Sequence, residues 1–306
     1  MSAEATTAIP REGLPVRGLA QLAASVVLLA SAWPITKLAI EDGAQPLWFA
    51  AGRAGVSCLT ATVVLLLTTG RVRLPGRRDM PAVLSVGLLQ LALFFALAHI
   101  AVAYVSAGRT TILANVTTIW IAPLSYVLLR ERVSARRWTA AGIGLAGVVV
   151  LMGPWAIDWH AKGVLLGHAL LLIAAGGFSA AILTVRRFPP EHRMLDLLPW
   201  CFGLATLVLL PLAWLEAPRP SEWGIGAVGA LGYIGGLAGP AGTWCVMEAA
   251  ATLPAMISSV GFLATPAAGL LFSAWWLGET IGPDLVAGTA LVLAGVAVAA
   301  WPPRRR

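Results

Sequence analysis

Apolar runs of roughly 20 residues, each long enough to cross about 30 Å of hydrocarbon, follow one another along the chain with short polar breaks between them. The pattern predicts helical spans at roughly 17 to 39, 46 to 69, 80 to 104, 107 to 129, 135 to 153, 163 to 185, 194 to 214, 223 to 247, 253 to 277 and 282 to 301. That makes ten, joined by connections too short to hold a soluble domain. Residues 1 to 16 read as a polar N-terminal tail and 302 to 306 as a basic C-terminus. Arg11, Arg17 and Ala30-Ser31-Ala32 imitate a secretory signal, but apolar character runs on through Trp33 to Ile40 and Pro34 obstructs cleavage. The expectation is an uncleaved first span.

Part of the pattern occurs twice. The stretch from Ala107 to Val150 contains Leu129-Arg130-Glu131-Arg132 and Leu145-Ala146-Gly147-Val148. It returns 148 positions later as Ala255, Leu277-Gly278-Glu279-Thr280 and Leu293-Ala294-Gly295-Val296. Small-residue matches are cheap in an apolar chain; a Glu shared in register is not. The expectation is two five-span repeats, 17 to 157 and 158 to 301, in an all-α integral membrane protein.

Composition supports this class: 58% of the residues are hydrophobic, 11% are charged, and mean hydropathy is +0.83, more apolar surface than a soluble domain of this size can hide. Cys58, Cys201 and Cys245 lie in apolar runs without ligand spacing and read as buried thiols. The net charge of +7 is concentrated in breaks between spans, which points to topology rather than to nucleic acid. Alternate breaks carry the arginines, among them Arg71, Arg73, Arg77, Arg78, Arg130, Arg132, Arg136, Arg137, Arg186, Arg187, Arg193 and Arg304 to Arg306. The remaining breaks carry Glu41, Asp42, Asp158, Glu216, Glu222, Glu279 and Asp284, with Lys162 and Arg219. The positive-inside rule then places both termini in the cytoplasm. Five spans per half is an odd number, so the second half enters from the opposite side and the repeats are inverted. This arrangement is typical of carriers whose substrate lies near the midplane.

With these features the chain resembles the drug/metabolite transporter superfamily, and within it the EamA-type ten-helix exporters, over residues 17 to 301. Trp33 with Lys37, Arg53, Tyr104-Val105-Ser106-Ala107-Gly108, Leu277-Gly278-Glu279 and Pro266 are similar to that family's recurring residues. The first repeat departs from the pattern: Thr118 stands where the second has Pro266, and Pro123 follows five residues later, which predicts a displaced or weaker kink in span 4. The resemblance implies export of small metabolites, most closely neutral or aromatic amino acids, across a bacterial inner membrane by alternating access. A proton-coupled exporter of drugs or other metabolites is the alternative.

Polar and aromatic side chains inside spans are the candidates for a central cavity. Asn115 and Thr118, with Thr111, share one face of span 4; helix-to-helix hydrogen bonding is the competing role. Trp33 beside Pro34 suits a cavity wall, whereas Trp48, Trp155, Trp159, Trp214, Trp223, Trp275 and Trp276 fall at span ends as interface anchors. Trp120 reads as packing or lipid-facing bulk. Phe94 and His99 in span 3, Phe178 in span 6, Trp244 in the glycine-dense span 8, and Ser259, Phe262 and Pro266 in span 9 complete the substrate-binding candidates. His99, His168, Glu248, Arg53 and Arg109 are the main ionisable groups at depth, and the two histidines are the possible proton carriers. No catalytic, cofactor or metal residues are assigned.

An intramembrane serine enzyme lacks a Gly-x-Ser-x-Gly setting and leaves the repeat unexplained; a channel lacks a filter or charged ring. The expected partners are a small-molecule substrate and membrane lipid, with no nucleic acid. Gly142, Gly147, Gly288 and Gly295 in spans 5 and 10 are compatible with internal packing in a monomer or with a homodimer contact.

Overall fold

A computed structural model describes residues 16–130, 133–152, 163–216, 223–253 and 255–300. Expectations for the N-terminal tail, Glu131, Arg132, Trp155, Asp158, Trp159, Lys162, Arg219, Glu222 and Arg304 to Arg306 lie outside the described residues. The described residues hold only helices and turns. In order they are α1 (Val16–Glu41), α2 (Pro46–Thr69), α3 (Met80–Leu84), a π-helical stretch (Ser85–Leu93), α4 (Phe94–Val102), α5 (Ala107–Ala114) and α6 (Thr117–Leu129). They continue with α7 (Ala135–Leu151), α8 (Val164–Arg187), α9 (Met194–Glu216), α10 (Ile225–Leu231), a second π stretch (Gly232–Ala238), α11 (Gly239–Thr252), α12 (Ala255–Phe262), α13 (Ala264–Leu277) and α14 (Pro283–Ala300). Joined across their irregular turns, they make ten rods at the ten expected positions. Seven helical stretches are long and apolar enough to cross a membrane among the described residues; α7, the α12–α13 pair and α14 supply the other three.

The duplication reaches beyond the stretch that reveals it in sequence. Helix starts at Pro46 and Met194, and at Ala135 and Pro283, are 148 residues apart. Packing follows the same relation: α1 lies on α11 as α8 lies on α4, and α1 lies on α13 as α8 lies on α6. Meanwhile α2 pairs with α9 and α7 with α14. The two π stretches fall in corresponding spans, where an extra residue per turn loosens the helix, as often happens near functional sites. One contact repeats in detail. A Cβ on Gly87 would lie 3.1 Å from the Cys201 carbonyl oxygen and 2.9 Å from Leu204, and a Cβ on Gly235 would lie 3.1 Å from the Arg53 carbonyl oxygen and 2.9 Å from Val56. Glycine therefore lets spans 3 and 8 press onto spans 7 and 2 at equivalent places.

The kink in span 4 is not displaced, contrary to the expectation from Thr118 and Pro123. α5 gives way to α6 at Asn115, and α12 gives way to α13 at Leu263, the equivalent position. In span 9 Pro266 has no amide hydrogen for the Phe262 carbonyl. In span 4 the Asn115 side chain produces the same break: Nδ2 donates to the Thr111 carbonyl at 2.7 Å, while the Asn115 amide bonds to Ile112 instead. A short amide side chain thus displaces its own backbone from the helical ladder, and Pro123 is accommodated inside α6.

Side chains in the breaks tie the two repeats together at both ends of the bundle. Where the arginines gather, the buried Asp79 accepts hydrogen bonds from the amides of Gly76 (2.8 Å), Glu191 (2.8 Å) and His192 (3.0 Å) and from His192 Nδ1 (2.7 Å). Burial raises its pKa, but these bonds outweigh it and hold the carboxyl at about 2. The stabilisation is present above the unfolded carboxylate value of about 3.9 and is lost as pH falls through about 2. Asp79→Ala is expected to cost about 1–3 kcal/mol, because amides lose their acceptor. Thermal unfolding in detergent from pH 7 down to 2 checks this, since the wild type should converge on the variant only at the acid end. At the opposite end, Asp42 Oδ2 accepts from the Ala227 amide at 2.9 Å and the Asp42 carbonyl from Gly224 at 3.2 Å.

Candidate functional site

A cluster of rings lies where spans 1, 2, 3 and 6 meet. Pro34 sits inside α1 and frees a carbonyl one turn before it, next to the buried Trp33. The Trp33 ring meets Phe94 edge-on at 6.0 Å and His99 at 6.4 Å, and Phe94 meets Phe178 of α8 edge-on at 5.4 Å. Phe95 and Phe49 each stand 5.8 Å from His99, and Phe49 continues to Trp223 at 6.0 Å. α4 carries Phe94, Phe95 and His99 directly after the π stretch, so the loosened helix sets the angle at which its aromatic turn enters the bundle.

The polar groups around this cluster are few. Arg53, on α2 one helical turn from Phe49, is 8% exposed and places its guanidinium carbon 4.3 Å from the centre of the Phe95 ring. Its Nε has no hydrogen-bond partner. Fully buried His99 donates from Nδ1 to the Phe95 carbonyl at 2.7 Å, and its Nε2 is unpartnered. Lys37 is engaged elsewhere: Nζ donates to the Val102 carbonyl at the end of α4 (2.9 Å) and stands 3.8 Å from Glu41, a favourable place for a cation at a helix C-terminus.

Of the residues proposed from sequence, Trp33, Phe94, His99 and Phe178 come together here. Asn115 is half-buried at the span 4 break, and Thr111 bonds back to the Ala107 carbonyl at 2.9 Å against Gly269 of α13. Thr118 lies in the first turn of α6. Trp120, expected to be packing or lipid-facing, packs inward on Gly176 of α8 with its Nε1 buried and unpartnered. Pro266 is buried in the first turn of α13. Phe262 packs with Leu22, Ala249 and Leu253 in a separate apolar cluster. Trp244 is 40% exposed and lines a cavity of about 550 Å³ with Thr60, Thr68, Arg193 and Glu248, between α2, α9 and α11. His168 donates from Nδ1 to the Val164 carbonyl at 2.7 Å and is buried.

Sequence reading did not find Phe49, Phe95 or the inward side of Trp223, because an aromatic residue near a span end looks the same whether it faces lipid or protein. It also left Glu279 and the Ala107-Gly108 joint as separate features. In the fold they meet: Glu279 Oε1 accepts from the Ala107 amide at 2.6 Å and Oε2 from the Gly108 amide at 2.9 Å, an acidic cap on the N-terminus of α5. Beside it, Arg109 Nη2 donates to Asp284 Oδ2 at 2.7 Å.

Comparison with known proteins places this architecture. The EamA-like transporter family matches residues 16–153 and again 163–301. The chain is 26% identical to the uncharacterized transporter YdfC of Bacillus subtilis over 82% of this chain and 80% of that protein. It is also 26% identical to a probable terminal-alkyne amino-acid exporter of Streptantibioticus cattleyicolor over 90% of each. The pseudopaline exporter CntI of Pseudomonas aeruginosa is 24% identical over 54% of this chain and 57% of its own length. A solved crystal structure superposes with a TM-score of 0.62, covering 94% of this chain and 96% of its own at 20% identity, and so shares the fold.

Proposed function

Because the chain belongs to the EamA-like transporter family, we propose that it is a secondary carrier exporting neutral or aromatic amino acids by alternating access between its two repeats. The observation that carries this reading is the run of rings from Trp33 to Phe94 to Phe178, in which the Phe94–Phe178 contact joins the first repeat to the second inside the bundle. Rings offer large apolar area to an apolar or aromatic side chain at low entropic cost, and a seam between inverted repeats is where such carriers place substrate. The names of two relatives, the terminal-alkyne amino-acid exporter and the pseudopaline exporter, favour export and an amino-acid-like substrate. The proposed setting is a bacterial inner membrane, with the arginine-rich end and both termini in the cytoplasm.

Uptake of labelled phenylalanine, tryptophan, methionine and threonine into liposomes tests the proposal, with and without a pH gradient. Saturable uptake is expected, and Trp33→Ala should lower kcat/KM by about 10-fold, the worth of one lost aromatic contact. Linear, unsaturable flux would indicate a pore, and no flux of any of the four would overturn the amino-acid reading.

A further inference from the structure

We propose that Arg53 and His99 form the headgroup-binding end of the substrate site: the Arg53 guanidinium takes a carboxylate, and His99 Nε2 accepts a hydrogen bond from an ammonium. This rests on the carrier reading above and names the chemistry that reading requires, an α-amino acid held by both charges with its side chain toward Trp33.

Three observations support it. First, two orphaned nitrogens flank a single ring: Arg53 lies over the face of Phe95 at 4.3 Å, and His99 stands 5.8 Å from the same ring. Both side chains are more than nine-tenths buried, and Arg53 Nε and His99 Nε2 have no partner. A cation inside a membrane bundle without a paired carboxylate is costly, and no ion pair with Arg53 occurs among the described residues. Second, the hydrogen-bond pattern sets complementary polarity. The Phe95 carbonyl can only accept, so His99 Nδ1 carries the hydrogen and the Nε2 of the neutral ring presents a lone pair. Donors on Arg53 and an acceptor on His99 match a zwitterion.

Third, the duplicated fold supplies its own control. At the position equivalent to Arg53, 148 residues on, stands Cys201, and its carbonyl makes the same close contact with glycine. The positions equivalent to Phe95 and His99 hold Thr243 and Met247, and those equivalent to Trp33 and Phe49 hold Ala181 and Leu197. The architecture therefore forms without an arginine at this place. The first repeat alone carries the charge, the acceptor and the rings.

The test uses the full-length protein in detergent and in liposomes. Phenylalanine, phenylacetate and phenethylamine are compared on the wild type, on Arg53→Gln and on Arg53→Cys, the residue the second repeat tolerates. Arg53→Gln is expected to raise the Kd for phenylalanine and phenylacetate by roughly 10- to 100-fold, as loss of a charge-assisted hydrogen bond predicts, and to leave phenethylamine unchanged. His99→Met should weaken phenylalanine and phenethylamine but not phenylacetate. Undiminished phenylalanine flux in both Arg53 variants overturns the assignment and leaves the exporter reading standing. Equal weakening of all three probes, with an unfolding temperature matching the wild type, also overturns it. If phenylalanine shows no flux while phenylacetate binding still depends on Arg53, the amino-acid reading fails and the carboxylate site holds. Binding of neither carboxylate to the wild type overturns the site.

Discussion

Valine in place of Gly295 is expected to leave little or no folded protein. α7 and α14 cross with their backbones touching: a Cβ on Gly295 would lie 2.8 Å from the Ala140 carbonyl oxygen and 2.9 Å from the Gly144 nitrogen. The equivalent Gly147 meets the Gly288 carbonyl oxygen and the Val292 nitrogen, each at 2.9 Å. Backbone atoms cannot rotate aside as a side chain can, so the two helices must separate along their length. Overpacking of that kind costs about 3 kcal/mol at its usual upper end, and two helices losing their closest contact should exceed it. Alanine at 295 should lower the unfolding temperature in detergent, whereas alanine at Gly142, where a Cβ meets nothing within 4 Å, should hold or raise it. Equal unfolding temperatures for the two alanine variants would contradict the crossing. The same geometry assigns Gly147, Gly288 and Gly295 to packing within the chain and separates Gly142 from them.

Loss of the Glu279 carboxylate should have the next largest effect. Its two oxygens bind successive amides at the start of α5 from the break between spans 9 and 10, so one side chain from the second repeat satisfies two otherwise orphaned amides of the first. A single charge-assisted bond of this kind is worth roughly 1.5–3 kcal/mol, and Glu279→Ala removes two while leaving the Arg109–Asp284 pair in place. The variant is expected to unfold at lower temperature and to transport more slowly, because spans 4 and 9 lose their common anchor. Glu279→Gln keeps one carbonyl acceptor and should fall between the two. An unfolding temperature unchanged in Glu279→Ala would show that the contact contributes nothing.

The break in span 4 shows where sequence reading falls short for a local reason. The absence of Pro at Thr118 predicts a weaker or displaced kink, because Pro is the only residue whose effect on a helix is written in its covalent structure. Asn115 breaks the helix by a hydrogen bond to Thr111, and the same side chain serves equally well as a ligand or as a link between helices. Only the folded chain decides which bond it makes. Arg53 differs in kind: its presence in an apolar run is visible at once, but its lack of a partner is a property of every helix packed around it.

The class, the number of spans and the duplication are legible in the chain alone. These depend on quantities local to each segment: the length of an apolar run, the charge of the break beside it, and a Glu recurring in register. Packing in the fold sets which faces meet. It brought Trp33, Phe94, His99 and Phe178 together with Arg53, set Trp244 and Phe262 elsewhere, and joined Glu279 to a helix start 171 residues away at Gly108. In a membrane bundle nearly every face is apolar, so hydrophobicity cannot say which side of a helix is buried. Orientation is set instead by close glycine contacts and a handful of buried hydrogen bonds, which couple residues far apart in the chain.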